Sequence, residues 1–493
     1  MAEPVSTTAT DLYETTVGLE IHVEMSTASK MFCGCAVAFA GEPNTRTCPV
    51  CLGFPGSLPV ANEKAVEYTL KIALALNCRI AEHSLFHRKN YFYPDMPKNY
   101  QISQYDLPLG SAGVVQLEGS FGTTRVGINR VHLEEDTGKS THIGGSGRIG
   151  DSEYSLEDFN RAGTPLVEIV SEPDIHSAEE ARAFVTELRA ILESLEVSDV
   201  RMEEGSLRVD ANVSVRRIGE TEHGAKVEVK NMNSIRSVGR ALEYEEKRQR
   251  AALDAGETLV QETRHFDEGA GVTLAGRLKE FSSDYRYFPE PDLVPFQPSG
   301  EWVESIRATI PELPAARRER FARDYGLGPA DIEILTSTTA TARWFERAAA
   351  AYDGDAKKVV NWIIADLYGL LNEAGVALTE ARIAPEQLAG LVSLVDEGAI
   401  SGKQAKLVLG GMFESGDDAA AVADRLGLRQ VSDAGAIAAA VDEVIAENEE
   451  AAAKVRAGQM NTIGFLVGQV MKKTKGQANP GMVNELIRER LAQ

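Results

Sequence analysis

The segment Val17-Gly-Leu-Glu-Ile-His-Val-Glu24 alternates apolar Val17, Leu19, Ile21 and Val23 with Gly18, Glu20, His22 and Glu24. A period of two sends successive side chains to opposite faces of a strand, so the segment predicts a strand with one apolar and one polar face. Residues 207–215 repeat the alternation with Arg208, Asp210, Asn212 and Ser214 on the polar side, and residues 226–230 repeat it again. Such strands fit an antiparallel sheet with one face on a core and the other exposed or lining a cavity. Residues 165–170 are apolar throughout except for Glu168, a costly carboxylate unless something compensates its charge. Helical spacing follows. Ser177 and Glu180 spell a capping box ahead of Phe184, Val185, Leu188, Ile191, Leu192 and Leu195 on one side. Residues 65–76 and onward also read as a helix, which assigns Cys78 to the core.

Two breaks divide the pattern. Pro289, Pro291, Pro295 and Pro298 cannot sit inside helices or central strands, and beyond them the chain becomes Ala-rich with helical spacing. The stretch from Gly410 and Gly411 to Asp418 reads as a polar, turn-rich link. The expectation is an α+β fold: an antiparallel-sheet domain over residues 1–297, an all-α domain over 298–410 and a small all-α tail over 411–493.

Composition narrows the function. The 493 residues carry 51 Lys and Arg against 74 Asp and Glu, a formal charge of −23, which excludes a globally basic nucleic-acid coat and a polybasic membrane binder. No apolar run reaches the length of a membrane span, the first sixteen residues lack a secretory pattern, and five cysteines do not make a disulfide scaffold. The expected setting is the cytoplasm. Two glycine motifs match only in spelling. Gly138-Lys139-Ser140 lacks the earlier glycine of a phosphate loop, since position 133 is Leu133, and Gly145-Ser-Gly147-Arg-Ile-Gly150 opens no apolar helix.

Four features carry chemistry. Cys33 and Cys35 are followed after twelve residues by Cys48 and Cys51, two close pairs able to supply the four thiolates of a closed, structural zinc site. Glu20 and His22 share a strand face, Glu134, Glu135 and Asp136 are consecutive, and Glu168 interrupts an apolar strand. One imidazole and several carboxylates suit a hard divalent cation if they converge, and salt bridges or hydrogen bonds if they do not. Residues 88–104 interleave tyrosines with Arg88, Lys89 and Lys98, a composition able to stack on bases or pair with phosphates. Residues 451–493 hold seven basic and two acidic residues, a local basic patch on an acidic chain, with Lys472, Lys473 and Lys475 at its centre.

The run Asp158-Phe-Asn-Arg-Ala-Gly-Thr-Pro-Leu-Val-Glu-Ile-Val-Ser-Glu-Pro173 resembles the signature of the GatB family, the B subunits of the aspartyl/glutamyl-tRNA amidotransferases. Supporting matches are residues 17–24, Arg88-Lys-Asn-Tyr-Phe-Tyr-Pro94, Gln101-Ile-Ser-Gln104, His132-Leu-Glu-Glu-Asp136, Lys230-Asn-Met-Asn-Ser234, residues 284–292 and Lys475-Gly-Gln-Ala-Asn-Pro480. The resemblance runs from about residue 12 to the end. It implies a cradle-shaped α+β domain, a helical domain and a YqeY-like tail, in a heterotrimer with an amidase subunit and a small third subunit. It implies a glutamine-hydrolysing ligase that uses ATP to phosphorylate the side-chain carboxylate of Glu-tRNA(Gln) or Asp-tRNA(Asn), which channelled ammonia then amidates. It also implies Mg²⁺ held by His22, Glu135 and Glu168 with Glu20 beside it, and Lys89 and Lys98 along the ammonia route or near phosphate. The tail lysines would contact tRNA. Two other readings remain at this stage: a noncatalytic tRNA-binding scaffold with vestigial carboxylates, and a metal-dependent hydrolase that needs no ATP.

Overall fold

The structure, a computed structural model, describes residues 12–144, 152–222, 224–278, 285–428, 434–457, 459–474, 478 and 480–491. The chain divides into two compact units, Met1–Pro314 and Ala315–Gln493. The described strands of the first unit are β1 (Tyr13–Glu24), β2 (Arg79–Ile80), β3 (His87–Asn90), β4 (Tyr100–Ser103), β5 (Gly110–Gly119), β6 (Gly122–Glu135), β7 (Lys139–Ile143), β8 (Tyr154–Asp158), β9 (Pro165–Ser171), β10 (Leu207–Arg217), β11 (Val227–Lys230), β12 (Glu262–Asp267), β13 (Val272–Leu278) and β14 (Phe288–Pro289). Nine of them form one sheet in the order β13-β12-β11-β10-β1-β9-β6-β5-β2, antiparallel except for the β11–β12 pair. Smaller sheets join β14-β3-β4 and β7-β8.

The alternating segment becomes β1, the middle strand of the nine. Val17, Leu19, Ile21 and Val23 are each 1 % exposed or less, and burial of each such side chain contributes about 1.5–3 kcal/mol. They pack with three helices: α1 (Glu63–Ala75), α2 (Ala178–Ser194) and α3 (Ile235–Asp254). Each helix starts at a polar cap. Asn62 accepts from the backbone of Lys64 and Ala65, Ser177 from Glu180 and Ser234 from Ser237. The capping box at α2 is displaced by one residue, because the Glu180 carboxylate accepts from the His176 N–H instead of that of Ser177. Phe184, Val185, Leu188, Ile191 and Leu192 form the buried side of α2, with Leu195 buried at its end. Cys78 is buried as expected but lies three residues beyond the end of α1. With the helices on the apolar face, the polar face of β1, β6, β9 and β10 is left to carry chemistry.

The second unit is helical and contains two hydrophobic cores, one drawn from residues 321–423 and one from 437–491. The expected break at Gly410 falls inside the first. The helix Gly402–Ser415 runs through both glycines and ends at Gly416, whose φ of +77° suits a left-handed cap. Gly411 serves close packing: a Cβ there would lie 2.7 Å from Val422 Cγ1. No helix among the described residues is long and apolar enough to cross a membrane.

Candidate active site

Antiparallel register assembles the site. His132 on β6 pairs with Glu168 on β9, Glu168 with His22 on β1, and His22 with Arg208 on β10, so four polar side chains stand in one row across the sheet. The neighbouring row sets Glu20 opposite Asp210, where the Asn212 amide donates to Glu20 Oε1 at 2.8 Å. Two residues beyond His132, Glu134 shares its face. His22 Nε2 lies 3.6 Å from both Glu134 Oε1 and Glu168 Oε2. One donor atom from each of His22, Glu134 and Glu168 falls within 4.8 Å of the others. A cavity of about 280 Å³ opens here, lined by His22, Glu134, Arg208 and Asp210 from the sheet and by Lys89, Tyr91 and Tyr285 facing them.

The charges are tightly balanced. Burial opposes ionisation of Glu168, but His132, whose Nε2 lies 3.2 Å away, together with His22 and Arg130, holds its carboxyl well below the usual range. Glu134 is likewise buried and likewise lowered, by a hydrogen bond to His132 and the charges of His22 and Lys89; the Ser103 hydroxyl also donates to it at 3.2 Å. Burial disfavours the His132 imidazolium, yet Glu168 and Glu134 raise its pKa to about 9. For Lys89, burial is again outweighed: the fields of Tyr287, Glu134, Glu168 and Tyr285 raise its pKa. Below this group, burial and the Asp136 carboxylate push Glu24 up, whereas Arg208 and Arg161 overcome burial to hold Asp136 down.

The expected ligand Glu135 is not in this cluster. Val131 and Leu133 are wholly buried on the apolar face, and alternation puts Glu135 on their side and Glu134 on the side of His132. Glu135 instead pairs with Lys98 and accepts the Ile102 N–H at 2.9 Å. Lys98 and Glu135 line a separate, smaller cavity of about 50 Å³ together with Cys33 and Cys51. Lys89 therefore faces the carboxylate pair and Lys98 does not.

The four cysteines converge, their sulfurs lying within 4.8 Å of one another. A zinc tetrahedron with bonds of about 2.3 Å has sulfur–sulfur edges of about 3.8 Å; Cys48 and Cys51 are 3.9 Å apart. The Cys51 thiol is lowered to about 4, chiefly by hydrogen bonding from Cys33, with the Cys48 backbone and Lys30 assisting against burial. Such a quartet can hold zinc with no position left open. The His22, Glu134 and Glu168 set offers one nitrogen and two oxygens, a donor set that would suit a hard divalent cation.

Other expected residues fare differently. Arg88 is spent on structure: it makes a two-pronged contact with Glu290 at 2.6 and 2.8 Å and lies over the Tyr100 ring. Lys472 is exposed at the end of the helix Ile463–Lys473, while Lys473 is held by Glu443 and Glu447, each at 2.7 Å. Lys475 and the glycines of residues 145–150 lie outside the described residues. Gly138 leads into β7, and its N–H donates to Asp95 O, leaving no phosphate cradle. Glu134 and Asp136 stand among the candidate acids of the sequence, whereas His132 and Arg208 do not; parity with Val131 and Leu133 marks both His132 and Glu134.

Comparison with known proteins follows the same division. Residues 15–304 match the family model described as the GatB/GatE catalytic domain, and residues 343–491 match that described as the GatB domain. The chain is 52% identical over 480 residues to a protein of Carboxydothermus hydrogenoformans, covering 97% of this chain and 99% of that one. It is 53% identical over 479 residues to one from Moorella thermoacetica, covering 97% and 100%. A third, from Persephonella marina, is 48% identical over 479 residues, covering 97% and 99%. All three are named as the B subunit of an aspartyl/glutamyl-tRNA(Asn/Gln) amidotransferase.

Proposed function

Because the chain belongs to the GatB family of amidotransferase B subunits, we propose that it phosphorylates the side-chain carboxylate of a misacylated tRNA with ATP, preparing it for amidation. The substrates are Glu-tRNA(Gln), Asp-tRNA(Asn) or both. The chain acts in a multi-subunit complex, in which an amidase subunit releases ammonia from glutamine and a small third subunit completes the heterotrimer.

The chemistry follows from the leaving group. Ammonia cannot displace oxide from a carboxylate. A side-chain oxygen that attacks the γ-phosphorus, with ADP departing, becomes an acyl phosphate; ammonia then adds to the carbonyl carbon, inorganic phosphate leaves and a proton is released. Little covalent work is asked of the protein, which must position and neutralise. His22, Glu134 and Glu168 are the residues that would hold Mg²⁺, the ion that neutralises charge on the moving phosphoryl group. Lys89, kept cationic, orients anionic oxygens entering the same cavity. Glu20, fixed by Asn212, borders the site one row away. Lys98 and Glu135 line the smaller cavity, which suits the path of an uncharged nucleophile such as ammonia. The cysteine quartet serves as a closed zinc staple for its lobe. Lys472 and Lys475 contact the tRNA backbone, and Lys473 does so to a lesser degree.

One observation supports this reading above the rest: His22, Glu134 and Glu168 bring one imidazole nitrogen and two carboxylate oxygens within 4.8 Å of one another, and His22 and Glu134 open onto the cavity that Lys89 also lines, a donor set suited to a divalent cation beside anionic oxygens. A noncatalytic scaffold has no use for it. The test is a single-turnover reaction of the reconstituted complex with each misacylated tRNA, ATP and Mg²⁺. ADP is expected only when a misacylated tRNA is present, and Lys89→Met should slow its formation. Amidation that proceeds without ATP consumption refutes the reading and favours hydrolase-like chemistry.

A further inference from the structure

Five tyrosines from separate segments form a line of ring contacts leading away from the carboxylate cavity. Tyr91 and Tyr285 line that cavity and meet at 6.4 Å. Tyr91 stacks on Tyr93 at 5.7 Å, and Tyr285 meets Tyr287 edge-on at 6.0 Å. Tyr287 in turn stacks on Tyr105 at 4.3 Å with the planes only 10° apart. Tyr105 is the outermost rung and is 47% exposed.

A solitary exposed aromatic is ordinary and needs no function. Tyr105 differs in being held. Tyr287 covers one face, His87 abuts the ring at 6.1 Å and 81°, and His87 Nε2 lies 3.1 Å from Asp106 Oδ1, which anchors the backbone beside it. A ring already fixed on two sides loses little freedom when a second plane settles on its open side. The rung beneath it belongs electrostatically to the reaction site: burial, with the charges of Glu134 and Glu168, raises the Tyr287 phenol to about 12 against the opposing charge of Lys89. Fixed aromatic planes beside cationic groups are how proteins receive nucleobases, because every base offers a π-face.

We propose that the open face of Tyr105 is a stacking platform for a nucleobase of the substrate, at the outer end of a tyrosine ladder that begins in the carboxylate cavity. The inference rests on the phosphorylation reading, which brings two nucleobases to this cavity: the base of the nucleoside triphosphate and the terminal base of the tRNA acceptor end.

The experiment uses the reconstituted complex and two fluorescent probes, 2-aminopurine riboside triphosphate and misacylated tRNA with 2-aminopurine at its 3′ terminus. Stacking quenches this base. The wild type is expected to quench one probe, which identifies the base. Tyr105→Ala and Tyr105→Leu should abolish that quenching and weaken binding of the same probe on the order of tenfold, while Tyr105→Phe restores both. Tyr105→Leu fills the space against Tyr287 without a π-face and so separates stacking from folding. Quenching of neither probe by the wild type, or equal quenching by all variants, overturns the platform. ADP formation by the wild type on misacylated tRNA, measured alongside, tells a failed platform from a failed phosphorylation reading.

Discussion

Glu134→Gln and Glu135→Gln, made separately, should have unlike consequences although the residues are neighbours in sequence. Glu134 and Glu168 oxygens lie within 4.8 Å, where two unit charges repel by about 3 kcal/mol or more at an effective dielectric of about 20. A divalent cation turns that repulsion into attraction to both, and Glu134→Gln leaves it one carboxylate and one imidazole. Loss of a group that merely supports a metal ligand costs about 10–100-fold in affinity, so loss of a ligand sets tenfold as the lower bound. The Mg²⁺ midpoint for tRNA-dependent ADP formation should therefore rise at least about tenfold in Glu134→Gln. Glu135→Gln removes the acid partner of Lys98 in the other cavity, and breaking a buried pair from one side costs about 3–5 kcal/mol. Its signature is a fall in stability by urea unfolding, with the Mg²⁺ midpoint moved less than about twofold, below the range expected even for a supporting group. A tenfold Mg²⁺ shift in Glu135→Gln together with an unmoved Glu134→Gln refutes the assignment of the two faces.

Other outcomes follow from the same geometry. The purified chain should retain one zinc by elemental analysis, and Cys51→Ser should lose it together with thermal stability; full retention by the variant places the metal elsewhere. Burial, reinforced by Glu157, raises the carboxyl of Asp95, and its Oδ1 has no hydrogen-bond partner. A raised acid favours folding below its unfolded pKa and loses that contribution as pH rises through the folded value, so Asp95→Asn should stabilise the chain at pH 7 by about 1 kcal/mol, a gain that vanishes below the ordinary aspartate range. Urea unfolding at the two pH values checks this. Lys472→Gln should lower the slope of log affinity for tRNA against log salt by about 0.7–0.9, and Lys473→Gln by less, because Glu443 and Glu447 already neutralise Lys473.

Much of the sheet was legible because β1 obeys a strict period of two and its register partners follow from pairing alone. The face of α2 and the cysteine quartet were legible for similar reasons: spacing of the apolar set in one, short chain separation in the other. The fine structure of the site was harder to read. Glu134, Glu135 and Asp136 are three acids in a row, and composition cannot tell which looks inward; counting parity from Val131 and Leu133 would have chosen Glu134. Arg88 looked available for phosphate because its acceptor, Glu290, lies two hundred residues further on. Gly410 and Gly411 read as a turn, but a glycine within a helix also permits close packing, and the decisive neighbour, Val422, is invisible to local pattern. Lys473 reads in the sequence only as part of a basic patch, because the two carboxylates one turn apart on another helix reach it only after folding.

A divalent cation is expected among His22, Glu134 and Glu168. Mn²⁺ substituted for Mg²⁺ in crystals of the complex locates it by anomalous scattering. A single strong peak is expected within bonding distance of His22 Nε2 and one oxygen from each of the two glutamates. A peak beside Glu135 and Lys98, or none on the polar face of the sheet, contradicts that expectation.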